Sequence, residues 1–198
     1  MRSLVALLLI LFSFSVQAQI RETKDGQIVA SVDDRMSGCY FFQEQSNWCW
    51  AAALQMVLAY HKVSLSQRAI VKRAFQKAEN RAASIPEMVR SIDGLQKKHK
   101  QISCTALAIQ NMQDLIGEIS DGYPVVVGME YQGRQHAMVL VQIRFQKDEQ
   151  HEGKINPTEV VLLDPSRRYL KTRRFPFPEF CKEINMALQV RVRRETDN

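Results

Sequence analysis

The sequence predicts an α+β fold, helical in its first half and stranded in its second. Two patterns carry this. Apolar residues recur at helical spacing in several segments between residues 49 and 119. From residue 125 the pattern changes to β-branched runs, VVVGMEY, HAMVLVQIRF and EVVLLD. The connections late in the chain are of hairpin length, which antiparallel pairing permits and parallel pairing does not. The expected sheet is therefore antiparallel. No internal repeat or low-complexity tract is visible.

Residues 1–18, MRSLVALLLILFSFSVQA, have one early base, Arg2, then an apolar run, then Val16-Gln17-Ala18. This is the pattern of a secretory signal peptide cut after Ala18. The apolar stretch is shorter than the ~20 residues that span a bilayer, so stable membrane insertion is not expected. The expectation is an exported protein, periplasmic or secreted, with residues 19–198 forming one domain. Those 180 residues (198 minus 18) suffice for one compact core.

Residues 27–32 make a plausible short strand in an otherwise polar arm. The stretch 43–60, QEQSNWCWAAALQMVLAY, organises everything after it. Residues 51–59 are almost all good helix formers, with Gln55 the one polar side chain, so a buried helix is predicted. Ser46 and Asn47 are capping-type residues placed just before it. A second helix starts near Ser64 and includes Ile70, Val71, Ala74 and Phe75. Ser84-Ile85-Pro86-Glu87 is a helix start, and Met88, Val89, Ile92 and Leu95 continue it. Residues 102–109 form a candidate strand with Cys104. Residues 111–119 form a further helix, closed by the turn at 121–124. Strands are expected over 125–131, 136–145, 159–164, 169–175 and 186–192.

The formal net charge is +6. The excess bases cluster late, at Arg167-Arg168, Lys171, Arg173-Arg174 and 191–194. No nucleic-acid motif accompanies them, so they read as a solvated basic face and no nucleic-acid partner is expected. Four cysteines stand at 39, 49, 104 and 181. An oxidising compartment permits disulfides, and four cysteines allow three complete pairings. If Cys49 is a free nucleophile, the pairing among Cys39, Cys104 and Cys181 stays open. No Cys or His pair has zinc-ligand spacing, and neither metal nor cofactor is expected.

Cys49 falls in the first turn of the central helix. Unpaired backbone N–H groups and the positive end of the helix dipole there favour a thiolate, the nucleophilic form of cysteine. His136 follows a Gly turn at the start of an apolar strand, where an imidazole can project into a cleft as the base. Asp164 ends the next strand, where it can hold that imidazole if the strands are neighbours. Gln43, six positions before Cys49, can join the Cys49 N–H in stabilising an oxyanion, with Gln45 competing for that part. Trp48 and Trp50 read as core and cleft-wall packing.

The run Gln43-x5-Cys49-Trp50-Ala51, with NWCWAA leading into a long apolar helix, resembles the nucleophile signature of papain-like cysteine peptidases. It is similar to the bacterial branch that includes AvrRpt2-type effector proteases and C39-like peptidases. His136-Ala137-Met138-Val139 and Asp164-Pro165 match the later segments of that branch, in the order Cys, His, Asp. The resemblance implies a helical lobe, about 39–121, whose central helix bears Cys49. This packs against a β lobe, about 122–198, that bears His136 and Asp164. It further implies hydrolysis of a peptide or amide bond in a protein or peptide substrate through an acyl-thioester. Two alternatives stand beside it. One is a secreted binding or inhibitory module with Cys49 locked in a disulfide. The other is an acyltransferase or amidase acting on cell-wall peptide.

Overall fold

A computed structural model describes residues 19–23, 27–96, 100–131, 133–148, 151 and 154–194. The expected signal peptide lies outside the described residues. The chain opens with strands β1 (Gln19–Glu22) and β2 (Ile28–Ser31) and a 3-10 turn, Asp34–Cys39. Helices α1 (Cys49–Tyr60), α2 (Gln67–Phe75) and α3 (Ile85–Ile92) follow, then β3 (Lys100–Ala106) and α4 (Met112–Ser120). The rest is β4 (Val125–Tyr131), β5 (Arg134–Lys147), β6 (Ile155–Leu163), β7 (Thr172–Pro176), α5 (Phe177–Glu183) and β8 (Ile184–Arg194).

All eight strands join one antiparallel sheet. Its main order is β1-β2-β5-β4-β8-β3, and β6 adds to β5 and carries β7. β5 is the long strand of the sheet because its two ends serve different partners. Its first half pairs with β4, and its second half pairs with both β2 and β6. The sheet is not confined to the second half of the sequence. β1, β2 and β3 all come from the first 106 residues, so the expected division into 39–121 and 122–198 does not describe the strands. β3 lies within the expected helical half because it closes the far edge against β8, with Ile102 opposite Val192 and Cys104 opposite Val190.

α1 is the inner helix. Trp50, Leu54, Met56 and Leu58 are fully buried, and the helix packs on β5. A helix apolar all round is stable only when enclosed on all sides, as this one is. Its polar residue, Gln55, accepts a hydrogen bond from Gln67 Nε2 at 3.0 Å. α3 begins as the sequence suggests, with a reciprocal capping box between Ser84 and Glu87 and a proline in the first turn. α4 starts after Asn111, whose side chain accepts the Gln113 N–H. The second helix begins at Gln67 with Ser66 as its cap, two residues later than its sequence pattern suggests. The strand expected over 169–175 is shorter, because 165–171 is a loop before β7. α5 and the 3-10 turn carry too few residues to show a hydrophobic period. No described helix is long and apolar enough to cross a membrane.

Candidate active site

The start of α1 differs from the sequence expectation in a way that bears on chemistry. Ser46 and Asn47 do not cap the helix. Asn47 donates from its backbone N–H to Asn80 Oδ1 (3.0 Å) and from its side chain to Asn80 O (3.1 Å), while Ser46 Oγ accepts from Asn80 Nδ2 (2.9 Å). The N-cap residue is Trp48, which makes no side-chain cap bond. The first-turn N–H groups beside Cys49 therefore have no capping side chain and can receive a negative charge. Both indoles reach outward from this turn. Trp48 Nε1 donates to Glu79 O (2.7 Å) and Trp50 Nε1 to Arg81 O (3.2 Å). They pin the loop after α2 alongside the thiol, where Ala82 becomes a wall of the cleft.

β5 brings the imidazole. His136 stands opposite Met129 of β4, its side chain 16 % exposed. β6 brings the carboxylate. Leu163 pairs with Val139, so Asp164 follows at the end of β5 that holds His136. His136 Nε2 lies 2.7 Å from Asp164 Oδ1. Cys49 and His136 open onto the same cleft, close enough for the sulfur to act on the ring electrostatically. The fold thus brings His136 against Asp164 and sets Cys49 and His136 on one cleft. Burial alone would lower the His136 pKa. Its hydrogen bond to Asp164 and the influence of Cys49, with the charges of both, outweigh burial and raise it to about 9.

Asp164 is fully buried. Burial would raise its pKa, but His136, the Ser166 N–H and Arg173 outweigh that and hold it below the usual carboxylate value. Ser166 N donates to Oδ1 at 2.8 Å and Arg173 to Oδ2 at 3.2 Å. Arg173 was read from sequence as part of a solvated basic face. It is instead largely buried, with its guanidinium stacked on Tyr169 and Phe175. Nothing local in a run of bases marks which one turns inward.

The segment before Cys49 is tied to both halves of the molecule. Tyr40 Oη donates to Asp164 O (2.7 Å), and the Gln43 N–H donates to Pro165 O (2.9 Å). From below, the buried Gln67 accepts the Glu44 N–H (2.9 Å) and donates to Phe42 O (2.8 Å). Gln43 lines the cleft, yet its amide turns into its own loop, donating to Gln45 O and Ser46 O, both at 2.9 Å. It presents no spare donor to an oxyanion in this state, which departs from the sequence expectation. Gln45 contributes its carbonyl to that loop, and its side chain is exposed. All four cysteines are free thiols, so Cys49 is not bridged. Burial beside Asp93 pushes Cys104 up to about 12, which makes it inert by comparison.

Fold and site together place a thiol at the start of a buried helix and an imidazole on an antiparallel sheet in one cleft. Comparison then gives the family. Residues 39–183 match the Peptidase_C39 like family, and the chain belongs to it. Of the two relatives in the sequence resemblance, the C39-like one is supported and the AvrRpt2-type branch is not. Among solved structures, the chain is similar to the peptidase domain of Streptococcus ComA, a bifunctional ABC transporter involved in a quorum-sensing pathway. The TM-score is 0.50 at 15% identity, covering 76% of this chain and 95% of that one. A Streptococcus mutans ComA peptidase domain aligns at TM-score 0.44 and 15% identity, covering 77% and 98%. No curated protein matches the chain.

Proposed function

We propose that this protein is an exported thiol peptidase that cleaves peptide or amide bonds through Cys49, His136 and Asp164. The observation that supports it most is the His136 ring, hydrogen-bonded to a buried carboxylate and sharing one cleft with a first-turn cysteine. In this mechanism His136 takes the thiol proton, and the imidazolium so formed stays oriented by Asp164. The Cys49 thiolate attacks the carbonyl carbon. The oxyanion is met by the uncapped backbone N–H of Cys49. Gln43 joins it only by giving up one of its loop carbonyls. His136 then protonates the leaving nitrogen, and water, deprotonated by the same ring, hydrolyses the thioester.

The test is a peptide library incubated with the intact protein and with Cys49→Ala, His136→Ala and Asp164→Ala. Cleavage should vanish in the first and fall by about a hundredfold or more in the other two. Unchanged cleavage in the His136 and Asp164 variants would refute the assignment. Fast alkylation of Cys49 by a small probe separates this reading from the silent binding module. Product analysis with added amine separates hydrolysis from acyl transfer. Export is tested by sequencing the mature N-terminus, which is expected at Gln19.

A further inference from the structure

Two hollows meet at Cys49 and His136, and they differ in chemistry. One, of about 280 Å³, is apolar, walled by Trp50, Ile85, Met88, Gly128, Ala137 and Met186. The other, of about 490 Å³, is polar, and no carboxylate lines it. Its charged residues are Arg134 and Arg168, joined by Asn47, Ser166 and Tyr169. The two arginines are held by local backbone devices. Arg134 follows Gly133, whose φ of +70° sets the turn into β5. The Arg168 N–H donates to Ser166 Oγ at 3.1 Å. Elsewhere on the molecule Arg35, Arg81, Arg144, Arg173, Arg174 and Arg191 each sit against a carboxylate. Arg134 and Arg168, like Arg21, Arg68, Arg73, Arg90, Arg167 and Arg193, form no ion pair among the described residues; what sets these two apart is that they line the cleft that holds Cys49 and His136.

Resting on the peptidase reading above, we propose that the polar hollow selects substrates with a carboxylate within a few residues of the scissile bond. An apolar residue occupies the other hollow. Any peptide laid across Cys49 and His136 puts its neighbouring residues into both. The arginines supply the charge that the cleft itself leaves uncompensated. An Asp or Glu side chain and a free chain terminus offer the same carboxylate, and the experiment tells them apart.

The measurement is binding to Cys49→Ala, so that it does not depend on turnover. Short acetylated peptides carry a Leu and, walked along the sequence on either side, a Glu, Gln or Lys, each with an amidated and a free C-terminus. Fluorescence polarisation is read at low and high salt. Glu peptides should bind about fivefold tighter than Gln peptides and tighter still than Lys peptides, with the margin shrinking in high salt. A gain from the free terminus alone identifies the chain end as the source. Arg168→Glu in the same background should reverse the order toward Lys, a gain that misfolding cannot produce. Equal affinities across the three peptides, or no binding by any of them, overturn the proposal. Acid-preferring binding by a protein that cleaves nothing would instead overturn the peptidase reading and leave only a carboxylate-binding hollow.

Discussion

The most informative perturbation is Asp164→Asn. It removes one charge and one acceptor: an oxygen kept at the Oδ1 position still serves the Ser166 N–H and His136, while the new amide NH2 faces the Arg173 guanidinium donor to donor. His136 is raised from its ordinary 6.5 to about 9. That difference corresponds to about 3 kcal/mol favouring the imidazolium. Since its pKa is raised, the imidazolium persists through neutral pH and is lost as pH rises through about 9. Asp164 and Cys49 share the work. If Asp164 supplies about half, the Asn variant loses its proton near pH ~8. The assay is kcat/KM against pH on one fluorogenic peptide. The alkaline limb should fall near 9 in the parent and about a unit lower in the variant, with activity at neutral pH reduced ~10²-fold. An alkaline limb that stays in place would show that the carboxylate does not set the protonation of the ring.

Three further outcomes are expected. Arg173→Met should cost about 3 kcal/mol, since it leaves a buried carboxylate short of a partner. Because the Asp164 pKa is depressed, its stabilisation is lost as pH falls through the folded value. Without Arg173 that value rises, so urea melts across an acid series should show the variant unfolding at higher pH than the parent. Gln67→Leu strips the bonds to Phe42 and Glu44 and should cost roughly 1–3 kcal/mol in a denaturant melt. Activity should drop while Cys49 still alkylates, and an unchanged kcat/KM would count against the anchoring role. At Gly128 an added Cβ would stand 2.9 Å from Asn185 Oδ1 and 3.1 Å from both Met186 Cβ and Cε. Gly128→Ala should therefore cost about 1–3 kcal/mol. It should also raise KM for peptides with a bulky apolar residue more than for those with Ala; an equal rise for both would remove Gly128 from the pocket wall.

The three side chains proposed to react were legible in the sequence because each sits where local pattern changes. Cys49 begins an unbroken apolar helix, His136 follows a glycine turn into a strand, and Asp164 precedes a proline. What joins them was not legible. Gln67, Tyr40 and Arg173 act through partners 25, 124 and 9 residues away. A lone Gln, Tyr or Arg carries no periodic signal of which way it points. The failed cap has the same origin. Ser46 and Asn47 have the right chemistry for the adjacent helix, but a tertiary partner, Asn80, competes for it and wins. Sheet membership of β1, β2 and β3 likewise depends on edges that the late strands expose only after folding.

The bonds from Tyr40 and Gln43 to the Asp164-Pro165 turn join early sequence to late sequence directly beside the thiol. On the ribosome the helix bearing the sulfur emerges well ahead of the segments that carry His136 and Asp164. A growing chain thus carries the Cys49 thiol before His136 and Asp164 are there to join it. On the reading proposed above, a truncated or stalled product lacks both the base and its carboxylate and is expected not to cleave peptide.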